Sequence, residues 1–424
     1  MKKVIGSAIV IYAVYVLAMF WYLFYGADTQ IPVVLQGTAA DPTTFLNDRE
    51  LMLSEQYSKI RNLLFFINLP FDWLLYFLIL VLGVSVKFGS WSKAVSKFSI
   101  VQTAIYLFYL TLVVEVLSYP LRWISYTLSK NYEITTQSYS SWMKDVVIGF
   151  WVDYAMMFII VTVLFMLIRR TGKRWWFYAW VCSVPFSLFL MFLQPVVIDP
   201  LYNDFYPLKD KELEQKILSL AAQADIPAEH VYEVNMAEKT NALNAYVTGI
   251  GSNSRIVLWD TTLNRLNDEE ILYIMAHEMA HYVMKHIYIG IAGYLLLTLV
   301  GLFIISRLID GILNRWGHLL KVESVREITV LPLLLLLISV LTFVASPVEN
   351  AVSRYQERAA DEYAIELTHE KEPAIRTFQE LTRAGLSQVN PPYLVKLFRY
   401  GHPTMLERIS YLESYEPLEK DNSN

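Results

Sequence analysis

Residues 277–281 read His277-Glu278-Met279-Ala280-His281, an H-E-x-x-H pentad that continues the helical run starting at Asp268. On a helix, residues four apart stack on one face, so the two imidazoles converge on one point. That geometry suits a zinc ion, and the intervening Glu278 can reach the activated water as general base. The chain holds seven histidines in all, too few for chance to place two at this spacing around a Glu with any frequency. Two surface histidines beside a helical Glu are the plain alternative. A third ligand decides between them.

The segment Ser353-Arg354-Tyr355-Gln356-Glu357-Arg358-Ala359-Ala360-Asp361 offers that ligand. On a helix Glu357 and Asp361 share a face, as do Arg354 and Glu357. A catalytic zinc takes three protein ligands and keeps one position open for water, and two His plus one Glu is an established set. Glu357 would complete it. Asp361, one turn on, could accept the free N–H of a ligand His and set its tautomer. Alone, the segment reads as an ordinary charged helix. Paired with the pentad, it reads as a metal site with one Zn2+ per chain.

The elements that must position these groups lie mostly in lipid. Of 424 residues, 55% are hydrophobic and 14% aromatic, and the mean hydropathy of +0.36 indicates a multispanning membrane protein rather than a soluble enzyme. A net charge of −5 argues against nucleic-acid binding. Cys182 is the only cysteine, which excludes an intramolecular disulfide and a thiolate zinc site. Seven apolar stretches are long enough, or nearly so, to cross a bilayer: 4–25, 63–86, 98–117, 146–168, 175–193, 287–305 and 328–344. The first lacks a charge and a small-residue cleavage site, so it reads as an anchor and not a signal peptide. In the second, Pro70 marks either the true start or a kink.

These stretches divide the chain into 1–198 with five spans, 199–286 as a mixed α/β part carrying the pentad, 287–344 with two spans, and 345–424 as a helical C-terminal part. Within 199–286, 211–224 has helical periodicity, and 230–234, 244–248 and 255–260 read as strands. Gly249, Gly251, Ser252 and Asn253 supply a turn. In 345–424, helices are expected over 348–367, 372–384 and after Pro403, with a frayed tail at 421–424.

An odd number of spans puts the termini on opposite sides. The loops sharing the side of Lys2 and Lys3 carry Lys87, Lys93, Lys97, Arg169, Arg170, Lys173, Arg174, Arg307, Arg315, Lys321 and Arg326. The opposite loops, 26–62 and 118–145, hold only Arg49, Lys59, Arg61, Arg122, Lys130 and Lys144. The positive-inside rule therefore puts the N-terminus in the cytoplasm and the large polar regions outside it.

The pentad, the S-R-x-x-E-x-x-A-D segment and the seven spans together resemble the type I CAAX prenyl proteases, integral-membrane zinc metallopeptidases. Ile198-Asp199-Pro200-Leu201-Tyr202-Asn203-Asp204-Phe205-Tyr206-Pro207-Leu208 is similar to that family's I-x-P-L-F-N-x-F-x-P-L segment. So are Asn244-Ala245-Tyr246 and the strand Arg255–Thr261 after it. Gly401–Arg408 resembles its H-P-P-x-x-E-R segment, with Thr404 where the second Pro is usual. The resemblance covers nearly the whole chain in motif order. It implies a mainly α fold, a seven-helix barrel enclosing a chamber and capped by a zincin-like α/β metalloprotease domain. It implies cleavage near the C-terminus of a prenylated protein, although related membrane enzymes also cut unprenylated and damaged membrane proteins. The expected partners are protein or peptide substrates, lipid-modified ones included, and membrane lipids, with the chain a monomer in a membrane, the cell membrane in a bacterium. Asn244, Ala245 and Tyr246 would be the edge strand on which a peptide lies extended. His402 and Arg408 would approach the site, where either could stabilise the oxyanion. The family's site faces the cytosol, against the charge count.

Other residues invite functional readings. Asp72, Glu115 and Asp153 fall in or near spans and should face protein or water. Asp153, well inside its span, is the best candidate to line a chamber. His286 lies five positions after His281, off the ligand face, at the start of the next span. His230, His318 and His369 have no partner at ligand spacing. Asp310-Gly311 follows the pattern of a site-two intramembrane protease motif but reads as a loop. A site-two-type protease and an inactive membrane scaffold or transporter are the rival functions.

Overall fold

The computed structural model describes residues 2–228, 230–248 and 255–416. Helices dominate: α1 (Lys2–Trp21), α2 (Asp48–Val81), α3 (Val84–Val95), α4 (Ser99–Asn131), α5 (Tyr139–Thr171) and α6 (Trp175–Leu193) come first. Strand β1 (Phe205–Pro207), α7 (Lys211–Gln223) and strands β2 (Val231–Val234), β3 (Ala245–Thr248) and β4 (Arg255–Trp259) follow. The rest is helical: α8 (Asp260–Arg265), α9 (Asp268–Val283), α10 (His286–Leu320), α11 (Leu331–Thr368), α12 (Lys371–Gly385), α13 (Tyr393–Arg399) and α14 (Met405–Ser414).

Six continuous stretches are long and apolar enough to cross a membrane, and the longest, Tyr139–Met191, contains both α5 and nearly all of α6. Val10, Ile11, Leu17 and Trp21 on α1 are 61–69% exposed, which water would penalise and hydrocarbon would not. Pro70 does not mark a helix start. It sits inside α2, where a proline leaves the carbonyl four residues earlier without its donor. Tyr15 Oη supplies one, donating to the Phe66 carbonyl at 3.0 Å. Pro347 is likewise inside an unbroken α11, and the Ser346 hydroxyl donates to the freed Phe343 carbonyl at 2.8 Å.

Two regions read as loops are helical. Gly83, at φ +74°, ends α2, and α3 then covers most of 87–97 by burying Ser85, Phe88, Gly89 and Ser92 along one face. Asp310 and Gly311 lie within α10. Ile305, Ile309 and Leu313 are buried at four-residue spacing there, and that packing outweighs the roughly 1 kcal/mol cost of a helical glycine.

The four strands form one sheet in the order β1-β2-β4-β3, with β2 parallel to β4 and the other pairs antiparallel, so β3 is an edge. Strand β1 was not expected; three residues are too short to show a period. The turn read at Gly249–Asn253 and the tail at 421–424 lie outside the described residues. The polar regions on either side of α10 share one core. Ile217, Val231, Ile256, Leu258, Met275 and Met279 pack with Ala364, Phe378 and Ile409.

The basic loops gather at the opposite end of the bundle. Lys321 Nζ donates to the Leu82 carbonyl and Arg169 Nε to that of Arg326. The 118–145 segment meets the sheet side, where the Asn241 amide donates to the Ile134 carbonyl at 2.9 Å.

Candidate active site

Helix α9 starts where its sequence dictates. Asn267 accepts from the Glu270 amide while Glu270 reaches back to the Asn267 amide, and Asp268, Glu269 and Glu270 fill the positive end of the helix dipole. Met275, Ala276, Met279 and Ala280 bury one side in the core, which aims His277, Glu278 and His281 at α11 and the cavity. From α11, Glu357 faces them.

His277 Nε2 lies 3.2 Å from His281 Nε2 and 3.2 Å from Glu357 Oε2, and His281 Nε2 lies 3.4 Å from Glu357 Oε1. One donor atom from each residue falls within 4.8 Å of the others. Tetrahedral zinc with bonds of about 2.0–2.2 Å holds its ligand atoms roughly 3.3–3.6 Å apart. Glu357 Oε2 is buried and makes no hydrogen bond of acceptable geometry, although His277 and His402 nitrogens stand close to it. Three ligand-type atoms from three side chains converge at the spacing a common cation requires. The two-His, one-Glu set fits zinc.

The outer nitrogens of both histidines are held. His277 Nδ1 lies 2.9 Å from Asp361 Oδ1, as the one-turn spacing from Glu357 predicts. Asp361 in turn accepts from Arg408 Nε at 2.9 Å and Nη2 at 2.5 Å, and the guanidinium stacks 4.0 Å from the centre of the Phe378 ring. His281 Nδ1 meets His286 Nδ1 at 2.9 Å. That corrects the reading of His286 as pointing away. A continuous helix would carry it off the ligand face, but α9 ends at Val283 and Lys285 turns left-handed at φ +59°, folding the next residue back. No local sequence signal marks a lysine for that conformation. His286 also opens α10, as its placement at the start of the span implied.

Burial would pull the His277 pKa down, but the Asp361 and Glu357 carboxylates beside its two nitrogens raise it to about 9. His281 goes the other way, to about 4, through burial and the neighbouring His277 charge. The carboxylates demand one positive charge at this point. Burial raises the Glu278 carboxyl above its ordinary range.

A cavity of about 370 Å³ opens beside these groups, lined by His277, Glu278, His402, Arg408, Asn244 and Ala245. His402 Nδ1 is 2.7 Å from Glu357 Oε2, and its side chain is 65% exposed. It does not cap the helix after Pro403. Thr404 does, accepting from the Glu407 amide at 3.2 Å. Tyr246, alternating to the other face of β3, lines separate cavities with Asp199. His230, His318 and His369 are not in the cluster.

Residues 207–416 match the model of peptidase family M48, and residues 25–204 match that of the CAAX prenyl protease N-terminal region with five membrane helices. The chain is 55% identical over 416 residues to YhfN, an uncharacterized metalloprotease of Bacillus subtilis strain 168, covering 98% of each. The chain belongs to the CAAX prenyl protease family and is a metallopeptidase. Among its other relatives, CAAX prenyl protease 1 of Saccharomyces cerevisiae is 26% identical over 321 residues, 71% of this chain and 70% of that one. The Dictyostelium discoideum homolog of that protease is 31% identical over 260 residues, 60% of this chain and 59% of that one. The crystal structure of S. mikatae Ste24p has the same fold, with a TM-score of 0.79 over 97% of this chain and 98% of that one at 22% identity. Family membership removes the scaffold and site-two readings.

A second cavity, of about 670 Å³, lies between α2, α4 and α5. Asp72 and Glu115 line it, with Arg122 Nη1 2.7 Å from Glu115 Oε1. Asp153, the carboxylate singled out from depth in its span, is not among the lining residues.

Proposed function

We propose that this metallopeptidase is a zinc endopeptidase cutting peptide bonds of membrane-associated or lipid-modified proteins. The convergence of His277, His281 and Glu357 beside Glu278, in a cavity bordered by an edge strand, carries the reading. His277, His281 and Glu357 would hold one Zn2+. When bound, zinc polarises the scissile carbonyl and makes water nucleophilic at neutral pH. Glu278 takes the proton of the attacking water and passes it to the leaving amine. Asn244 and Ala245, at the start of β3, pair with an extended substrate backbone, whereas Tyr246, expected beside them, lines other cavities. His402, exposed at the cavity, faces the developing oxyanion. Arg408 commits Nε and Nη2 to Asp361, so we assign it to positioning: it fixes Asp361, which fixes His277.

Seven crossings follow if α5 and α6 each span, with a chamber between the helices and the α/β part as its cap. One chain carries every group the mechanism uses, consistent with a monomer. The basic loops lie at the end away from the site, which by the positive-inside rule supports a site outside the cytoplasm; the family resemblance implies the cytosolic face.

Substitution Glu278→Gln tests the reading. The amide keeps the shape but cannot take a proton, so zinc content and fold should persist while cleavage of a membrane-protein substrate falls by about 100-fold or more. Near-normal turnover would remove Glu278 from its role.

A further inference from the structure

The four-stranded sheet has two faces, and the metal cluster lies toward one of them. Val231, Ala245, Ile256 and Leu258 point into the core shared with α9. Their neighbours along each strand point the other way. Tyr232, Val257 and Tyr246 stand on one rung of that second face, because Val257 pairs with both tyrosines. Phe205, Arg255 and Trp259 belong to the same face by register. Opposite it runs the short helical stretch Gln194–Leu201, which carries the chain from α6 toward β1. Two cavities, of about 500 and about 130 Å³, open between this stretch and the sheet, and share Pro195, Asp199, Phe205 and Tyr246.

The charges on these walls are unmatched. Asp199 and Arg255 both line the smaller cavity, yet among the described residues neither forms an ion pair, with the other or with a third group. Arg255 stands instead over the Tyr232 ring, 5.9 Å from its centre. Asp199 is half-buried, and burial raises its carboxyl above the ordinary range. Asn203 lines the larger cavity, and its buried Oδ1 has no hydrogen-bond partner. Phe205, Tyr246 and Trp259 line that cavity as well. A carboxylate, an amide oxygen and aromatic rings together suit a primary ammonium, which donates three hydrogen bonds and is drawn to aromatic faces. Arg255 suits a phosphate. The two charges line one cavity without touching, the arrangement a zwitterion would bridge.

Depth identifies the source of that zwitterion. Met191, the last residue of a stretch apolar enough to cross a membrane, lines the larger cavity, and the sheet forms its other wall. The site therefore sits at the border of hydrocarbon and water, where headgroups lie. Val196, Val197 and Leu201 beside it are 46–59% exposed, an apolar rim for acyl chains. We propose that this sheet face holds the headgroup of a phosphatidylethanolamine molecule, its ammonium on Asp199 and Asn203 and its phosphate on Arg255. The proposal goes beyond the peptidase reading and does not depend on it. Strand β3 joins the two sites, with Ala245 on the cavity beside the metal cluster and Tyr246 on this one, so a bound headgroup ties the edge strand to the membrane surface.

Lipid binding to the full-length chain tests this. The protein, purified in dodecylmaltoside, is titrated with phosphatidylethanolamine carrying a fluorescent acyl chain, and anisotropy gives the Kd. Phosphatidylglycerol and N-acetylated phosphatidylethanolamine, labelled in the same way, keep the phosphate and lack the ammonium. Each should bind about tenfold less tightly. Asp199→Asn should remove the preference for phosphatidylethanolamine over its N-acetyl form, and Arg255→Gln should weaken all these lipids by a similar factor. Equal Kd values for phosphatidylethanolamine and its N-acetyl form, or no saturable binding, overturn the proposal in the unaltered chain, where misfolding of a variant plays no part. A preference that persists in Asp199→Asn protein overturns it too. Phosphatidylcholine, whose ammonium has no N–H, should bind more weakly, and a Kd equal to that of phosphatidylethanolamine would overturn the assignment of a primary ammonium. Soluble glycerophosphoethanolamine that competes at the same concentration as the lipid would overturn the lipid assignment in favour of a free phosphoamine.

Discussion

At the scale of single residues, the site is organised as much by what holds His277 and His281 as by those histidines themselves. His277 and His281 present Nε2 inward, and each has Nδ1 engaged from outside, by Asp361 and His286. The two partners differ in kind. Asp361 is an anion buried to 3% side-chain exposure and neutralised by Arg408, whereas His286 is a neutral-capable ring at a helix start. Removal of either partner leaves the inward nitrogen free to rotate away from the metal. His286→Ala and Asp361→Asn should each weaken zinc binding by about 10- to 100-fold while the fold persists. Competition with a metal chelator measures this directly, and wild-type affinity in His286→Ala would reduce its contact with His281 to packing. His277, Glu278, His281 and Glu357 are legible in the sequence because each pair of partners lies within one helical turn. His286 is not, because its position depends on one backbone dihedral.

At the scale of elements, that dihedral belongs to the break between α9 and α10. The two helices would read as one from composition, yet Lys285 adopts φ +59° between them. A non-glycine residue there carries strain, which the contact between His286 and His281 offsets. Lys285→Gly should be neutral to slightly stabilising and keep zinc. Lys285→Val, whose branched Cβ tolerates this region poorly, should lower stability by about 1–2 kcal/mol and weaken zinc binding with it. Thermal melts with and without zinc separate the effects; a Val variant that melts and binds zinc like wild type would show that the break has another origin. The edge position of β3 is decided at this scale too. The strand pattern of 244–248 identifies a strand, but the order β1-β2-β4-β3 identifies which side of it is open.

At the scale of the whole molecule, the basic loops and the His277–His281–Glu357 cluster occupy opposite ends of the bundle. Single cysteines at Lys173 and Ser414, in a Cys182→Ser background, should therefore label from opposite sides of intact cells. Labelling at Ser414 from outside supports the charge-based orientation, and labelling at Lys173 from outside supports the cytosolic site that the family resemblance implies. Label reaching both positions from one side would contradict an arrangement in which the helices between them cross the membrane.

The sequence alone determined the helical and apolar character of the chain, the pentad, the Glu357–Asp361 pair and most element positions. Each is a local property: hydropathy over a window, or side chains stacked by a 3.6-residue period. The tertiary structure decided what those patterns meet. It merged the polar stretches flanking α10 into one core, ran α2 through Pro70 and α10 through Gly311, and turned His286 onto His281. It also brought Arg61 of α2 to the cavity that Arg399 lines from the far end of the chain. Helix interiors survive a proline or glycine when neighbouring side chains supply the missing donor or packing, and those neighbours are distant in sequence.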